Sequence, residues 1–191
     1  MSHDTVCLPD RPGRRAREPE RLHIVPDASG CIGCPLTRTP SAPRLWGPTS
    51  RVATVEKDAA QIPLFVFAEF LPAGAHRLLD LPMHALENAA LPLEDVDPAL
   101  ASGIAREFDR THRDGKRPDS VSFLDALDKL FLSRIGRTEH SPLADFILAS
   151  VNAARGAVRV GELASRTGYS ERHLGRVAAE RLGVGIKSLS R

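Results

Sequence analysis

The chain has 191 residues, of which 42% are hydrophobic and 26% charged, and its formal net charge at pH 7 is +2. These values are typical of a globular protein of one or two domains with a buried core. No apolar run reaches membrane-spanning length and the N-terminus has no secretory signal, so we expect a cytoplasmic protein that does not enter a membrane.

The first segment, residues 1–20, is rich in proline and arginine and has few large apolar side chains, so we expect a disordered basic tail. Residues 21–96 have short apolar runs separated by turn residues, and residues 64–70 are the most strand-like of these runs. Runs of this length and spacing predict a small, mostly antiparallel β module. After the turn at residues 71–75, prolines allow only brief helices.

Helical periodicity begins after Asp97 and continues to about residue 154. Pro98 suits the first turn of a helix, Ser120 or Ser122 caps a second helix, and Ser141 opens a third. We predict that residues 97–154 form a helical linker. Its inward positions are Leu100, Ile104, Ala105, Phe108, Phe123, Leu124, Leu127, Leu130, Phe131, Leu143, Phe146, Ile147 and Val151.

The last segment, residues 155–191, has the pattern of two short helices joined by a tight turn. Gly168 follows the first helix where a left-handed C-cap is favoured, and Ser170 stands at the N-cap position of the second helix. Gly183 ends that helix. This is the layout of a helix-turn-helix. The inward positions are Val160, Leu163 and Ala164 in the first helix, and Leu174, Val177, Ala178 and Leu182 in the second.

The predicted fold class is therefore α+β, with a small N-terminal β module followed by an all-α segment that ends in a single helix-turn-helix. Positive charge is concentrated in the last segment, as binding to phosphates requires. Its acidic residues are only Glu162, Glu171 and Glu180. Its basic residues are Arg155, Arg159, Arg166, Arg172, Arg176, Arg181, Lys187 and Arg191.

Catalytic and metal-binding motifs are sparse. Cys31 and Cys34 form a CxxC, which can be a redox pair or half of a zinc site, but no second CxxC or His pair follows at metal spacing. An odd total of three cysteines also argues against a disulfide framework, and packing within strands is favoured for this pair. His76 and His84 either line a ligand pocket or are ordinary, partly buried histidines, and the second interpretation is favoured. The acidic residues at 94–97 lack a His or Lys at a defined spacing. We therefore expect neither an enzyme nor a cofactor.

The pattern from Gly168 onward reads GYS-x-x-HL-x-R-x-x-x-x-x-LGV, and Glu162-Leu163-Ala164 precedes it. It resembles the first helix-turn-helix of the AraC/XylS family of bacterial transcription regulators. Upstream, residues 25–27, 64–75 and 91–95 resemble the N-terminal β domain of such regulators, which serves in sensing or dimerisation. The family has two helix-turn-helix subdomains joined by a long helix, whereas this chain carries the first and ends where the joining helix would start. We expect either a truncated member or a fragment of a longer one.

The resemblance implies a sequence-specific DNA-binding transcription regulator whose second helix enters the major groove. Arg172 and Arg176 are four residues apart and project from one face, where a guanidinium can read guanine O6 and N7. His173 is assigned to a base edge or a phosphate. Gly175 has no side chain with which to read a base. The residues assigned to phosphates, which position a protein without reading sequence, are Arg166, Ser170, Arg181 and Lys187.

The family also implies that the aromatic ring of Tyr169 packs between the two helices. Besides double-stranded DNA, the partners that the resemblance implies are a small-molecule effector and a second copy of the chain in a homodimer. The alternative function that the sequence leaves open is a ligand-sensing or interaction module with a vestigial DNA-binding segment.

Overall fold

The computed structural model describes residues 20–24, 28–36, 42–57, 65–111, 120–135 and 139–190, so the predicted basic tail lies outside it apart from its last residue. Within these ranges the strands are β1 (Glu20–Ile24), β2 (Cys31–Pro35), β3 (Arg44–Trp46), β4 (Ala53–Lys57), β5 (Phe65–Glu69) and β6 (Ala90–Pro92). Their order and pairing confirm the predicted antiparallel β module. β1 pairs with β4, and a four-stranded sheet has the order β5-β2-β3-β6.

The inner face of the four-stranded sheet is set by β2. Ile32 lies opposite Leu45 of β3 and Ala68 of β5. Because side chains alternate along a strand, Ile32 and Cys34 point to the same side, where both are buried. This face forms the floor of the core.

The helices follow the predicted starts closely. α3 begins at Pro98, α4 begins at Ser120, and the hydroxyl of Ser141 accepts a hydrogen bond from the Ala144 N–H at 3.3 Å before α5. None of the helices in the described ranges is long and apolar enough to cross a membrane. The helical elements are α1 (Gly74–Leu79), a 3₁₀ helix (Met83–Leu86), α2 (Leu93–Val96), α3 (Pro98–Thr111), α4 (Ser120–Ile135), α5 (Pro142–Ala153), α6 (Val160–Thr167), α7 (Glu171–Leu182) and α8 (Ile186–Leu189).

Two buried clusters organise these elements. The N-terminal core combines the four-stranded sheet, the 3₁₀ helix and α1–α4, and Phe108 and Phe123 meet in it edge to face at 5.7 Å. The C-terminal core combines α5–α8 around Ile147, Leu163 and Leu174, which have no exposed surface. The α+β fold class with its terminal helix-turn-helix is thus confirmed.

The segment expected to be a linker is divided between the two cores. α3 and α4 pack into the N-terminal core, whereas α5 packs into the C-terminal core. An amphipathic helix is stable only when its apolar face is buried, and each of these faces finds a different partner. The packing boundary therefore lies between α4 and α5, whereas the sequence suggested boundaries after residues 96 and 154.

Candidate nucleic-acid interface

The helices of the helix-turn-helix begin and end at the residues that the sequence predicts. Gly168 adopts a left-handed conformation with φ of 74°, and its N–H donates to the Ala164 carbonyl at 2.9 Å. Ser170 has an extended backbone, and its hydroxyl accepts a hydrogen bond from the His173 N–H at 3.2 Å. Gly183, with φ of 81°, ends α7. These local contacts satisfy the polar groups that every helix end leaves unpaired.

The inward faces of α6 and α7 pack on α5. Leu163 of α6 and Leu174 of α7 are completely buried, and Ile147 of α5 is buried with them. Full burial of one leucine or isoleucine side chain contributes about 1.5–3 kcal/mol relative to its exposure. These three residues therefore hold α7 with one face inward and the opposite face free.

The free face of α7 carries Arg172 and Arg176, both exposed. At about 100° per residue, positions four apart lie about 40° from each other around the helix, so the two guanidinium groups share one side. Nη1 of Arg176 donates to both carboxylate oxygens of Glu180 at 2.9 Å. Exposed pairs at this spacing contribute only about 0.3–0.5 kcal/mol, so a stronger acceptor can displace Glu180.

Tyr169 and His173 extend this surface at the turn. The Tyr169 side chain is 49% exposed, and its ring stacks on His173 with a centroid distance of 4.7 Å and an interplanar angle of 16°. The expectation that Tyr169 packs between the helices is therefore wrong, because Leu163 and Leu174 already fill that space. Nη2 of Arg176 lies 3.4 Å from His173 Nδ1. Since a guanidinium only donates, this contact requires Nδ1 to accept and leaves the hydrogen on Nε2.

The predicted phosphate-binding residues have different environments. The Arg166 guanidinium lies over the Phe146 ring, 4.8 Å from its centroid, in a cation–π arrangement. Lys187 is exposed on α8, and Ser170 serves as the N-cap of α7. All three residues are exposed at the surface of the C-terminal helices.

Arg181 is the exception among the predicted residues. Its guanidinium contacts Nε2 of His76 in α1, and its side chain is only partly exposed. The sequence contained a signal for this position: Arg181 follows Leu174 by seven residues, which returns to the inward stripe of α7. At about 100° per residue, Arg181 lies about 180° from Arg172 around the helix axis. It therefore lies opposite Arg172, and its contact with His76 shows that it faces the N-terminal core.

The C-terminal end of α7 meets the N-terminal core along a seam formed with Pro48, His76 and Met83. A Cβ added to Gly183 would lie 2.5 Å from Cγ of Pro48, which is far closer than ordinary contact, and 3.1 Å from Cβ of Met83, which is a tight contact. Sequence reasoning missed this seam and also missed Glu180, although its four-residue spacing from Arg176 is the helical ion-pair spacing.

Cys31 and Cys34 do not form a shared site. Three positions apart on β2, their side chains point to opposite faces of the sheet, where Cys31 is half-buried and Cys34 buried. Burial raises the pKa of the Cys34 thiol to about 12, so it stays protonated at neutral pH, whereas metal binding and nucleophilic attack need the thiolate. In the part of the chain that the structure describes, no group of three or more His, Cys, Asp or Glu residues could hold a metal ion.

The other polar residues considered as site candidates also have different environments. His76 is buried with its Nδ1 2.7 Å from the Leu81 carbonyl oxygen, whereas His84 is exposed. The Asp97 carboxylate accepts a hydrogen bond of 2.8 Å from the Leu100 N–H at the start of α3, and it also pairs with Arg134 of α4. Its role is therefore structural.

No protein-family model, curated protein or solved structure matches the chain.

Proposed function

We propose that the protein is a sequence-specific, double-stranded-DNA-binding transcription regulator of the AraC type, acting in the cytoplasm and without enzymatic activity. The observation that supports this is the arginine surface of α7, defined by Arg172 and Arg176 beside Tyr169 and His173. This surface stands on a capped helix whose other face is packed on α5. A rigid helix with an exposed basic face is what the major groove accommodates.

In the proposed complex the N-terminal half of α7 enters the groove. Arg172 and Arg176 each offer a guanidinium fork that matches O6 and N7 of guanine. The Nε2–H of His173 offers one donor to a base acceptor or a phosphate. A Cβ on Gly175 would meet no atom within 4 Å, so the groove can approach the helix backbone closely there.

Phosphate contacts would hold the helix in register. Arg166 and Lys187 provide charge, while the hydroxyl groups of Ser170 and Tyr169 provide donors at the N-terminal end of α7. The first turn of α7 adds backbone N–H groups, which have no carbonyl partner within a helix at its N-terminal end, and the positive end of the helix dipole. These contacts carry affinity and orientation but no direct sequence information.

A second copy of the chain is the proposed partner on DNA, because helix-turn-helix proteins commonly bind paired half-sites about 34–36 Å apart. The β module at residues 21–96 is the proposed place for dimerisation or for a small-molecule effector. Light scattering of the purified chain with and without duplex tests the first of these: a dimer on DNA is expected, and a strict monomer at saturation contradicts it.

The central test is selection of bound duplexes from a randomised library by the purified chain, followed by titration of the selected sequence at several salt concentrations. We expect an enriched motif and an affinity that falls as salt rises, because each phosphate contact releases counterions. Arg176→Ala should relax the preference at one position of the motif. Lys187→Ala should weaken all duplexes alike, by reducing the salt slope by about one.

Lys129→Ala serves as the matched control, since it removes an exposed positive charge from α4, which packs in the N-terminal core. It should leave the affinity unchanged. If the library yields no motif and salt leaves binding unaffected, the proposal fails, and a ligand-sensing or interaction module with a vestigial DNA-binding segment becomes the better account.

A further inference from the structure

The side chain of Arg181 is held by the N-terminal core. Its Nη1 contacts Nε2 of His76, which lies on an element 105 residues earlier in the chain. The other nitrogen of that ring, Nδ1, lies 2.7 Å from the Leu81 carbonyl oxygen. A carbonyl only accepts, so Nδ1 donates and Nε2 is the acceptor that the guanidinium needs. His76 is 7% exposed, so water competes little for this contact.

The backbone at the end of α7 is held at the same place. Gly183 lies so close to Pro48 and Met83 that an added Cβ would force these neighbours to shift, and Val184 beside it is 4% exposed. α7 and the 3₁₀ helix Met83–Leu86 pack directly on each other. Side-chain and backbone contacts therefore fix the same end of the helix to the N-terminal core.

This attachment leaves the arginine surface open. Arg181 lies about 180° from Arg172 around the α7 axis at about 100° per residue. Arg172 and Arg176 are exposed, while the seam covers the opposite side and the C-terminal end of the helix. The N-terminal core and a DNA duplex can thus contact α7 at the same time.

We infer that His76 is a positioning residue for DNA reading: through Arg181 it fixes the orientation in which α7 presents Arg172 and Arg176 to the groove. This inference rests on the proposed function and reassigns Arg181 from phosphate binding to the seam. Because contact geometry decides how well a bidentate guanidinium meets a base, a small rotation of the helix weakens both arginine contacts together.

Two substitutions of His76 separate its two hydrogen bonds. In His76→Gln the side-chain oxygen can reach the Nε2 position and accept from Arg181, while the bond to Leu81 is lost. In His76→Asn the amide can donate to Leu81 from near the Nδ1 position, but the link to Arg181 is lost. Both variants exchange a buried ring for an amide, so each controls for the other in stability, which is measured by urea unfolding.

Affinity for the selected duplex is the decisive measurement. We expect His76→Asn to bind at least about fivefold more weakly than wild type, as loss of a hydrogen bond to a charged group predicts, and His76→Gln to stay within about twofold. Arg181→Met, which keeps an apolar stem in place, should weaken binding like His76→Asn and leave the salt slope unchanged.

The inference is overturned if His76→Asn binds as tightly as wild type or if both His76 variants lose affinity equally. It is also overturned if Arg181→Met lowers the salt slope by about one, since Arg181 would then contact a phosphate. In each of these cases the wild-type chain still binds its selected duplex and the proposed function stands. Absence of salt-dependent binding by the wild-type chain is the separate result that removes the proposed function.

Discussion

The two ends of α7 differ in what holds them. Its N-terminal end is capped by Ser170 and presents exposed side chains, whereas its C-terminal end lies against the N-terminal core. Two glycines mark the contrast. A Cβ on Gly175 would meet nothing within 4 Å, but a Cβ on Gly183 would lie 2.5 Å from Pro48. The same helix therefore presents an exposed surface at its N-terminal end and packs against the N-terminal core at its C-terminal end.

The packed end should be the most sensitive to substitution. Gly183→Ala places a Cβ at φ of 81° and against Pro48, so we expect it to destabilise the fold by about 2–4 kcal/mol, from backbone strain plus overpacking. Gly168→Ala is the matched control, because φ is 74° there but nothing lies within 4 Å. It should cost only about 1–2 kcal/mol in the free energy of unfolding by urea. Equal losses for the two variants would show that the seam contributes nothing.

A substitution at the exposed N-terminal end of α7 should weaken DNA binding and leave the stability of the fold unchanged. Arg172→Ala removes one proposed bidentate base contact, so we expect affinity for the selected duplex to fall by about 1–3 kcal/mol, or roughly 5–150-fold. Because Arg172 is exposed, the free energy of unfolding should change by less than about 0.5 kcal/mol. Parallel urea unfolding and duplex titration measure both. A large loss of stability with unchanged affinity would reverse the assignment of this end.

The N-cap of α7 should affect both the stability of the fold and the affinity for DNA. Ser170→Ala removes the acceptor for the His173 N–H, and we expect a loss of about 1 kcal/mol in the free energy of unfolding. Affinity for DNA should also fall, since the cap orients the first turn of α7. Ser141→Ala removes the equivalent cap of α5 and is the control. It should cost similar stability without a specific effect on affinity once the folded fraction is taken into account, and equal losses of affinity would contradict this prediction.

The smallest effect is expected at Gly175. Gly175→Ala should stabilise the chain by about 1 kcal/mol, because alanine has the higher helix propensity and the added methyl group meets open space. Thermal unfolding at fixed pH measures the change. A destabilised variant would mean that this position is packed like Gly183, and the contrast between the two ends of α7 would then disappear.

Much of the fold follows from local patterns. Proline at the start of α3, Ser141 before α5, and Gly168 and Ser170 around the turn act on groups within a few residues, so their roles can be predicted from the chain alone. The apolar stripe of α7 predicts its buried face for the same reason. The exposure of Arg172 and Arg176 follows because they lie opposite that stripe.

Other features depend on tertiary packing partners that cannot be identified from local sequence patterns. Helical periodicity identified α3, α4 and α5, but only their packing divides them between two cores. Tyr169 became part of the surface because Leu163 and Leu174 occupy the interior at the turn. The separation of Cys31 and Cys34, by contrast, follows from the strand that the sequence predicts for them, because side chains three positions apart on a strand point to opposite faces.

The sequence by itself determined the capped helices, the glycine turn and the arginine face, since each depends on interactions between residues close together along the chain. Tertiary structure alone decided that Arg181 meets His76 and that Gly183 lies against Pro48 and Met83. Those contacts join segments about a hundred residues apart, and their existence depends on how two separately buried cores come together.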